Sequence, residues 1–524
     1  MYNLIPEILH QQARRTPQRR AIIDSKGEVT YGALSDAVAD LAHGLRAKGL
    51  TKGGRCVCVF PNSIDFFLAH FAAITAGGVS VPCEYNITAS NFSTILKDCE
   101  AEFVLIAADV FTRLTDAISR LDLHAVIIFG PAKLDIQVNG PVYLLSEIIA
   151  AGKQLPSRLH QLSENDLAAI MYTTGSTGAP KGVLLKQSNV MAALRNITRF
   201  VGYTEDDSEL IILPVSHNFG LGHAYCNLMN GGFIYLANGM SRIGRIFGAL
   251  EKYKITGFPG TPLGYGLLLD RFAEVFAAKA SSLRFIVIDS APMPPERTKS
   301  LQALLPHVNI MVYYGLTEAS RSTYISLTAA GPNYYQSVGR PMENIVIDIQ
   351  NEFGENLAPG KIGEVVISGP TVTEGYWKKP DQTAAVLRNG KMHSGDIGYL
   401  DNDGYLFITG RIKDVINVGG LKLNPSETEE TLQKFPGVCD VGVVGLDGIP
   451  GITGEAVVAG LALDKADARD FDREACMRFC LGRLEKFKVP IRLFILDHIP
   501  RTDSGKIKRH ELVETIKSKM SENN

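Results

Sequence analysis

The chain has 524 residues, a hydrophobic content of 45% and a formal net charge of −2. This length predicts more than one domain, and the near-neutral charge gives no electrostatic footprint for nucleic acid or an anionic membrane. The eight cysteines show no metal-ligand spacing, so we expect reduced thiols and no metal held by them. The amino-terminal stretch lacks the features of a signal peptide, and the apolar window Phe66–Val81 is too short to span a bilayer. We therefore expect a cytoplasmic protein.

Strands and helices alternate at short spacing in the first part of the chain. Helices are predicted over Leu34–Arg46, Ile64–Ala76 and Asn91–Lys97, and strands over Cys56–Phe60, Val79–Cys83, Phe103–Ile106 and Ala125–Phe129. This alternation predicts a layered α/β domain whose strands pair mostly in parallel.

A loop rich in glycine and hydroxyl groups joins the apolar run Leu167–Met171 to the apolar segment Val183–Leu185. Its glycines let successive backbone N–H groups turn toward an anion, and a lysine adds a mobile positive charge. The candidate phosphate-binding residues are Thr173, Thr174, Gly175, Ser176, Thr177, Gly178 and Lys181. A flexible surface linker is the alternative, but linkers of this composition rarely lie between two buried segments.

Two common nucleotide motifs are absent from this loop. The Walker pattern requires a lysine followed by Ser or Thr, whereas Lys181 is followed by Gly182. The G-x-G-x-x-G spacing of dinucleotide-binding folds also fails. A P-loop NTPase and a Rossmann dehydrogenase are therefore disfavoured.

The middle of the chain contains further strands that end in polar loops. We predict them over Glu209–Pro214, Gly232–Leu236, Leu283–Ile288 and Ile310–Tyr313. Ligands bind at the carboxyl ends of strands in open α/β sheets, so these loops are expected to form a pocket wall. Short alternating runs over residues 345–368 indicate a β-rich subdomain.

The pattern changes again near residues 411–414, and a self-contained segment follows. A helix is predicted to begin at Asn424-Pro425, followed by strands over Gly442–Val444 and Ala456–Ala459, a helix over Asp472–Leu484 and a strand over Arg492–Leu496. This segment is expected to form a second domain.

Four more segments carry residues suited to nucleotide chemistry. An aromatic ring beside glycine in residues 313–318 (YYGLTE) offers a surface for adenine, and its glutamate suits Mg²⁺, which prefers oxygen ligands. Asp396 lies between two glycines, where it can accept hydrogen bonds from ribose hydroxyls. Arg411 follows in GRIKD, and Lys506 lies on the loop PRTDSGK.

Together with TTGSTGAPKG, these strings resemble, in order, the motifs of the AMP-forming adenylating superfamily, which includes acyl-CoA synthetases, peptide-synthetase adenylation domains and luciferases. The resemblance covers nearly the whole chain. It implies a large α/β amino-terminal domain with several subdomains over residues 1–410, a hinge at 411–415, and a small α+β lid domain over 416–524.

The resemblance also implies roles for individual residues. Lys506 is expected to bridge acid and phosphate as the catalytic lysine, Thr317 to contact the α-phosphate, and Glu318 to hold Mg²⁺. The adenine is expected to pack against Tyr314 on one face, with Tyr313 and Gly315 as neighbouring cofactor-binding residues, and against Ser290, Ala291 and Pro292 on the other, where Ser290 replaces the usual glycine. Asp396 is assigned to the ribose, Arg411 to the ribose or phosphate, Lys413 to the hinge, and Gly419 and Gly420 to the approach of a thiol.

The implied reaction is ATP-dependent activation of a carboxylic acid as an acyl-adenylate, with release of pyrophosphate. The acyl group then passes to a thiol, for which CoA is the first expectation. Two acceptors stay open: a carrier protein, and an amino acid that forms an amide, because the run EASRST resembles coronafacate ligase. A nucleotide sensor without activity is disfavoured, since it would not need Lys506.

The loop that begins at His217 is expected to line the acid pocket. Amino-acid-activating relatives place an aspartate near this position, whereas the sequence here is SHNFGLGH, so an α-amino acid is disfavoured. His217 is expected either to contact the acid or to act as a gate, and these alternatives stay open. Pro259–Pro262, Arg321 and Ser322 are expected to contribute walls.

Overall fold

The computed structural model describes residues 2–131, 138–154, 159–174, 180–291, 293–447, 449, 454–464, 471–502 and 505–522. The first part contains α1 (Ile5–Arg15), β1 (Arg20–Ile23), β2 (Glu28–Thr30), α2 (Tyr31–Ala47), β3 (Arg55–Val59), α3 (Ile64–Thr75), β4 (Val79–Cys83), α4 (Ala89–Asp98), β5 (Phe103–Ala107), α5 (Ala108–Ile118), β6 (Ala125–Phe129), β7 (Val142–Leu144), α6 (Leu145–Gln154), β8 (Leu167–Thr174), β9 (Pro180–Lys186) and α7 (Gln187–Val201).

The middle part contains β10 (Ser208–Ile211), α8 (Asn218–Met229), β11 (Phe233–Leu236), α9 (Ile243–Tyr253), β12 (Gly257–Gly260), α10 (Pro262–Lys279), β13 (Phe285–Ile288), α11 (Pro295–Leu304), β14 (Asn309–Tyr314), β15 (Thr323–Ser326), α12 (Leu327–Ala330) and β16 (Arg340–Pro341). The β-rich part contains β17 (Val346–Gln350), β18 (Gly363–Ser368), α13 (Pro380–Val386), β19 (Leu387–Arg388), β20 (Lys391–Leu400) and β21 (Leu406–Arg411).

The carboxyl-terminal part contains β22 (Ile416–Val418), β23 (Leu421–Leu423), α14 (Pro425–Leu432), β24 (Val438–Leu446), β25 (Ala456–Leu463), α15 (Arg473–Leu481), β26 (Arg492–Ile495) and α16 (Arg509–Glu522). Its apolar side chains form two cores of their own, one centred on β24 and α15 and one between β25 and α16. The structure therefore has a large amino-terminal part and a small carboxyl-terminal domain, as predicted.

Two large sheets form the layers of the amino-terminal part. One has seven strands in the order β7-β6-β5-β3-β4-β8-β9, parallel except for the β8–β9 pair. The other has nine strands in the order β16-β15-β14-β13-β12-β10-β11-β1-β2, with a parallel centre. Every residue of β5 and β6 is buried, as expected for parallel strands covered on both faces. The predicted α/β class is confirmed.

Some predicted bounds were wrong in detail. The strand predicted over Glu209–Pro214 is β10, which ends at Ile211 because its parallel partner β11 ends at Leu236. The helix predicted over Asp472–Leu484 is α15, and Asp472 is its N-cap, accepting a hydrogen bond from the amide of Ala475. None of the helices among the described residues is long and apolar enough to cross a membrane.

Candidate active site

The predicted phosphate loop connects two antiparallel strands. β8 and β9 pair with Thr173 opposite Lys181 and Thr174 opposite Pro180, so the loop begins where both strands leave the sheet. Gly175, Ser176, Thr177 and Gly178 lie outside the described residues, as does the side chain of Thr174. The hairpin brings Lys181 back beside Thr173, which the sequence did not predict.

Tyr376 joins this hairpin to the predicted metal carboxylate. Its hydroxyl donates to Glu318 Oε1 at 2.7 Å, and Lys181 Nζ lies 5.5 Å from the centroid of its ring. The backbone around Tyr376 pairs with β9, because the amide of Trp377 donates to the carbonyl of Gly182 at 2.8 Å. Burial, together with the charge of Glu318, raises the pKa of the Tyr376 phenol. The tyrosine therefore stays a neutral donor that fixes Glu318.

Glu318 and Thr317 lie in the bend that follows β14. Among the described residues, no three His, Cys, Asp or Glu side chains are close enough together to hold a metal. Glu318 offers a second oxygen, Oε2, beyond the one that Tyr376 contacts. One carboxylate completed by phosphate oxygens and water is a usual environment of Mg²⁺, so this donor set fits Mg²⁺ that arrives with a nucleotide.

Asp396 lies at the centre of a second hydrogen-bonded group. Tyr314 donates to Asp396 Oδ2 at 2.7 Å, and Arg411 Nε donates to Oδ1 at 2.6 Å. Asp396 and Arg411 are direct partners in the β20–β21 ladder, which explains how residues far apart in sequence meet here. Although burial opposes it, the charge of Asp396 raises the pKa of Arg411, so the guanidinium stays charged.

Tyr313 and Tyr314 point to opposite faces of β14, because side chains alternate along a strand. Tyr314 meets Asp396, whereas Tyr313 is buried against Phe219, at 5.6 Å between ring centroids, and His223, at 5.9 Å. The two rings cannot line one face. Gly315 follows, and a Cβ there would lie 2.4 Å from the backbone nitrogen of Arg321, so only glycine fits.

Ser290 adopts a backbone conformation that glycine favours, with a φ of +81°. This explains why the resembling family has glycine here, since a residue with a Cβ is strained in the left-handed region. Its neighbour Asp289 has a raised pKa, chiefly from desolvation. Ala291 follows, and Pro292 lies outside the described residues.

The carboxyl-terminal lysine loop lies against the amino-terminal part. A Cβ on Gly505, whose φ is +88°, would lie 3.8 Å from Cβ of Leu263 at the start of α10. The amide of Lys506 donates to the Thr502 hydroxyl at 3.1 Å, and its carbonyl accepts from the amide of Thr502, so the loop closes on itself. The positive charge of Lys506 acts on the pKa of Asp289 and of Lys413. The lysine loop therefore packs against the amino-terminal part at Leu263.

Gly419 and Gly420 form the turn between β22 and β23, with φ values of +60° and +94°. A two-residue hairpin turn with both φ values positive requires residues such as glycine. Both glycines are exposed on the small domain. Lys413 lies nearby in the 3₁₀ turn Ile412–Asp414, and desolvation lowers its pKa.

His217 is the N-cap residue of α8, and its ring is exposed. Its Nε2 lies 2.8 Å from Oε1 of Glu84, which follows β4. This hydrogen bond with His217 lowers the pKa of Glu84. Sequence reasoning missed Glu84, although its position at the carboxyl end of a parallel strand was a signal for it.

Comparisons with known proteins agree with this geometry. The family described as "AMP-binding enzyme" matches residues 9–377, and "AMP-binding enzyme C-terminal domain" matches residues 427–506. An oxalate–CoA ligase of Arabidopsis thaliana is 31% identical over 96% of this chain and 96% of its own length. A feruloyl-CoA synthase of an Amycolatopsis species is 31% identical over 96% of this chain and 97% of its own.

A solved structure of the amide bond synthetase McbA from Marinactinospora thermotolerans has a TM-score of 0.85, with 26% identity over 97% of this chain and 99% of that one. The fold and the residues brought together define an adenylate-forming ligase. The chain belongs to the AMP-binding enzyme family, as its sequence motifs predicted.

Proposed function

We propose that this enzyme joins a small carboxylic acid to the thiol of CoA in two half-reactions. In the first, a carboxylate oxygen of the acid bonds to the α-phosphorus of ATP, and the bond from that phosphorus to the oxygen bridging to the β-phosphate breaks. The products are the acyl-adenylate and pyrophosphate. In the second, the thiol sulfur bonds to the acyl carbon, the thiol proton is released, and AMP leaves.

The position of Lys506 carries this proposal. Two anions must meet in the first half-reaction, so positive charge near the reacting atoms lowers the barrier. In the present arrangement the lysine loop lies against Leu263 at the start of α10, and the charge of Lys506 acts on the pKa of Asp289 and of Lys413. Its exposed amine has no hydrogen-bond partner among the described residues and is available to bridge acid and phosphate.

The other residues orient and neutralise the substrates. Lys181 and the hydroxyl of Thr173 interact with the leaving phosphates, and Thr317 contacts the α-phosphate. Asp396 accepts hydrogen bonds from the ribose, with Arg411 and Tyr314 holding the carboxylate. Glu318 holds Mg²⁺ in the position that Tyr376 fixes. The bound ion supplies charge neutralisation at the phosphates.

The second half-reaction requires a different arrangement of the small domain. We propose residues 411–415 as the hinge between the two parts, 1–410 and 416–524. One family match ends before this hinge, at residue 377, and the other begins after it, at residue 427. Rotation would remove Lys506 and bring the turn of Gly419 and Gly420 to the acyl group, where small residues leave room for a thiol.

Amide formation is the second candidate for this step. The structural similarity to an amide bond synthetase favours amide formation, since the similarity covers 97% of this chain and therefore includes both domains. An amine would then replace the thiol as the nucleophile. Loading of a carrier protein is the third acceptor, and it shares every motif. We also propose a cytoplasmic location, which the seven buried cysteines support because none forms a disulfide.

The proposal predicts that Lys506→Ala lowers acyl-adenylate formation at least about 100-fold, because one charge contact is lost at the reacting phosphate. Acid-dependent pyrophosphate release over a panel of acids measures this step. Mass spectrometry with CoA, a carrier protein or free amino acids then identifies the acceptor.

Lys508→Ala is the matched control, since Lys508 lies on the same loop and pairs with Glu511 at 3.2 Å. It should keep near wild-type pyrophosphate release. Wild-type release from Lys506→Ala would contradict the assigned role, and turnover of ATP to ADP alone would contradict the proposed function.

A further inference from the structure

A cleft of about 420 Å³ lies on the surface of the small domain, between α15 and β26. β26 is the last strand in the order β24-β25-β26, so no described strand covers its outer edge. The cleft is lined by the apolar side chains of Met477, Leu481, Ile491 and Leu493. Leu481 and Ile491 are about half exposed, at 51% and 50%. Apolar surface that is grouped in an exposed cleft is typical of a binding site.

Three arginines surround these apolar side chains, and we call the whole surface the arginine cleft. Arg478 pairs with Glu474 at 3.4 Å and with Asp472 at 3.7 Å. Arg473 and Arg492 are exposed, and neither pairs with a carboxylate in the described part of the chain. The arginine cleft therefore favours a partner that carries an apolar group with carboxylates beside it.

The same chain carries an exposed group of this kind on its β-rich part. Phe353, in the loop that joins β17 to β18, is 80% exposed, more than any other large apolar side chain that the structure describes. Glu352 precedes it, and Glu355 lies two residues beyond it. Both glutamates are exposed, and neither forms an ion pair with a described residue. We call residues 352–355 the acidic tip.

Hydrogen bonds with one side chain hold the acidic tip in a defined shape. The Asn351 side-chain oxygen accepts from the amides of Phe353 and Glu355, at 3.0 Å each. The Asn351 side-chain amide donates to the Glu355 carboxylate at 2.8 Å. Gly354 permits the turn with a φ of +80°. An ordered tip loses less conformational entropy on binding than a flexible loop does, so this arrangement favours association through Phe353.

We propose that the acidic tip of one copy of this chain binds in the arginine cleft of a second copy. Phe353 then packs against the apolar lining, and its two flanking glutamates face Arg473 and Arg492. Because tip and cleft are different surfaces, a two-fold dimer makes this contact twice, and any other arrangement repeats it around a ring or along a chain. The inference does not depend on the reaction that the enzyme catalyses.

Sedimentation velocity of the whole chain, without ligands, tests this association. We expect the weight-average sedimentation coefficient to rise with protein concentration. The rise should be smaller at high ionic strength, because salt screens the charges at the rim of the cleft. Phe353→Ser removes the apolar group of the acidic tip and should raise the dissociation constant at least about tenfold.

An exchange of charges identifies which surfaces meet. Glu352→Arg and Arg492→Glu should each weaken the association at least about tenfold, because like charges then face each other. In an equal mixture of these two variants, every contact between unlike copies has either its native charges or the exchanged pair. The mixture should therefore associate with a dissociation constant within about threefold of the wild-type value.

Lys517→Glu is the matched control, because it makes the same change of charge on α16, which packs on the other face of the three-stranded sheet. It should associate as the wild type does. A chain that stays monomeric up to about 100 µM, where even a weak contact is occupied, overturns the inference. So does an association that Phe353→Ser leaves unchanged, or a mixture in which Glu352→Arg and Arg492→Glu fail to associate.

Discussion

Single side chains in this site are held by partners from distant parts of the chain. Asp396 receives Tyr314 on one oxygen and Arg411 on the other. A carboxylate has about four acceptor positions, so both contacts leave capacity for two ribose hydroxyls. The contacts fix the carboxylate, and if Asp396 binds the ribose as proposed, this order would reduce the conformational entropy lost on binding.

Tyr376 fixes the carboxylate of Glu318 by a hydrogen bond in the same way. Tyr376→Phe removes the 2.7 Å hydrogen bond but keeps the ring beneath Lys181. We expect kcat/KM for MgATP to fall about tenfold, since a hydrogen bond to a charged group contributes about 1.5 kcal/mol. Steady-state kinetics at varied Mg²⁺ concentration measure the effect.

Tyr334→Phe provides the control, because the Tyr334 hydroxyl donates to the exposed Asp403 at 3.2 Å, in a different part of the molecule. Its kinetics should match the wild type. Unchanged Mg²⁺ dependence in Tyr376→Phe would show that the tyrosine does not position Glu318.

Sequence reasoning could find the residues that occur in short motifs, because glycines, hydroxyls and charges at fixed spacing carry their chemistry locally. Tyr376 was not predictable in this way, since it lies 58 residues after Glu318 and the contact depends on how its segment pairs with β9. The partners of Arg321 on α8, the carbonyls of Asn218 and Phe219, were missed for the same reason. Predicting them requires the packing of α8 against β14.

At the scale of elements, Asp207 accepts hydrogen bonds from residues that lie near the ends of several elements. Arg284, before β13, donates to Asp207 at 2.7 Å and 3.1 Å, and the amide of Thr204 and the hydroxyl of Thr256 donate as well. Desolvation alone would raise the pKa of Asp207, but these donors outweigh it and lower the pKa. The ionised form is thus favoured in the folded protein.

This lowered pKa predicts a pH-dependent contribution to stability. A carboxyl group whose pKa is lower in the folded than in the unfolded state stabilises the folded protein. This contribution is fully present above the unfolded pKa, about 3.9, and is lost as the pH falls through the folded pKa. Asp207→Asn should lower the free energy of unfolding by about 1–2 kcal/mol at pH 7, and the difference should shrink below about pH 4.

Urea unfolding of both proteins across this pH range measures the difference. Asp270→Asn, which breaks an exposed ion pair with Arg297, should change stability by less than about 0.5 kcal/mol. A constant difference between Asp207→Asn and the wild type from pH 7 to pH 3 would refute the role assigned to ionised Asp207.

Elements with strong local signals were predictable, and those defined by pairing were not. The strand Val79–Cys83 was predicted at its observed bounds, since its apolar run ends at glycine on one side and a charged residue on the other. The helix predicted over Asn91–Lys97 is α4, which begins earlier at Ala89, because the Thr88 hydroxyl caps it. The far edge of the nine-stranded sheet, where β1 pairs with β11 about 200 residues later, has no local signal.

At the scale of the whole molecule, the proposed rotation of the small domain depends on the connection between the two parts. Beyond β21, the chain passes through Ile412–Asp414 to Val415, whose φ is −63°. Proline has a fixed φ near this value, so Val415→Pro restricts rotation about this bond, at the cost of the long hydrogen bond that the Val415 amide donates to the Ile412 carbonyl at 3.4 Å. We expect pyrophosphate release within about threefold of the wild type, and acyl transfer to CoA lowered at least about tenfold.

Separate measurement of pyrophosphate and of acyl-CoA over a single turnover distinguishes these steps. Val415→Ala is the control, because it leaves rotation about the hinge free and should transfer the acyl group to CoA at the normal rate. Val438→Pro would be unsuitable as a control, because Val438 lies in a strand. Equal rates of transfer in Val415→Pro and Val415→Ala would show that the hinge does not include this residue.

The central claim is that the acid attacks the α-phosphate of ATP, and an isotope experiment tests it most directly. The enzyme is incubated with ATP, CoA and the best acid of the panel, labelled with ¹⁸O in its carboxylate, and the products are analysed by mass spectrometry. We expect one ¹⁸O atom in the phosphate of AMP and unlabelled pyrophosphate. Formation of ADP, or of AMP without the label, would contradict the account.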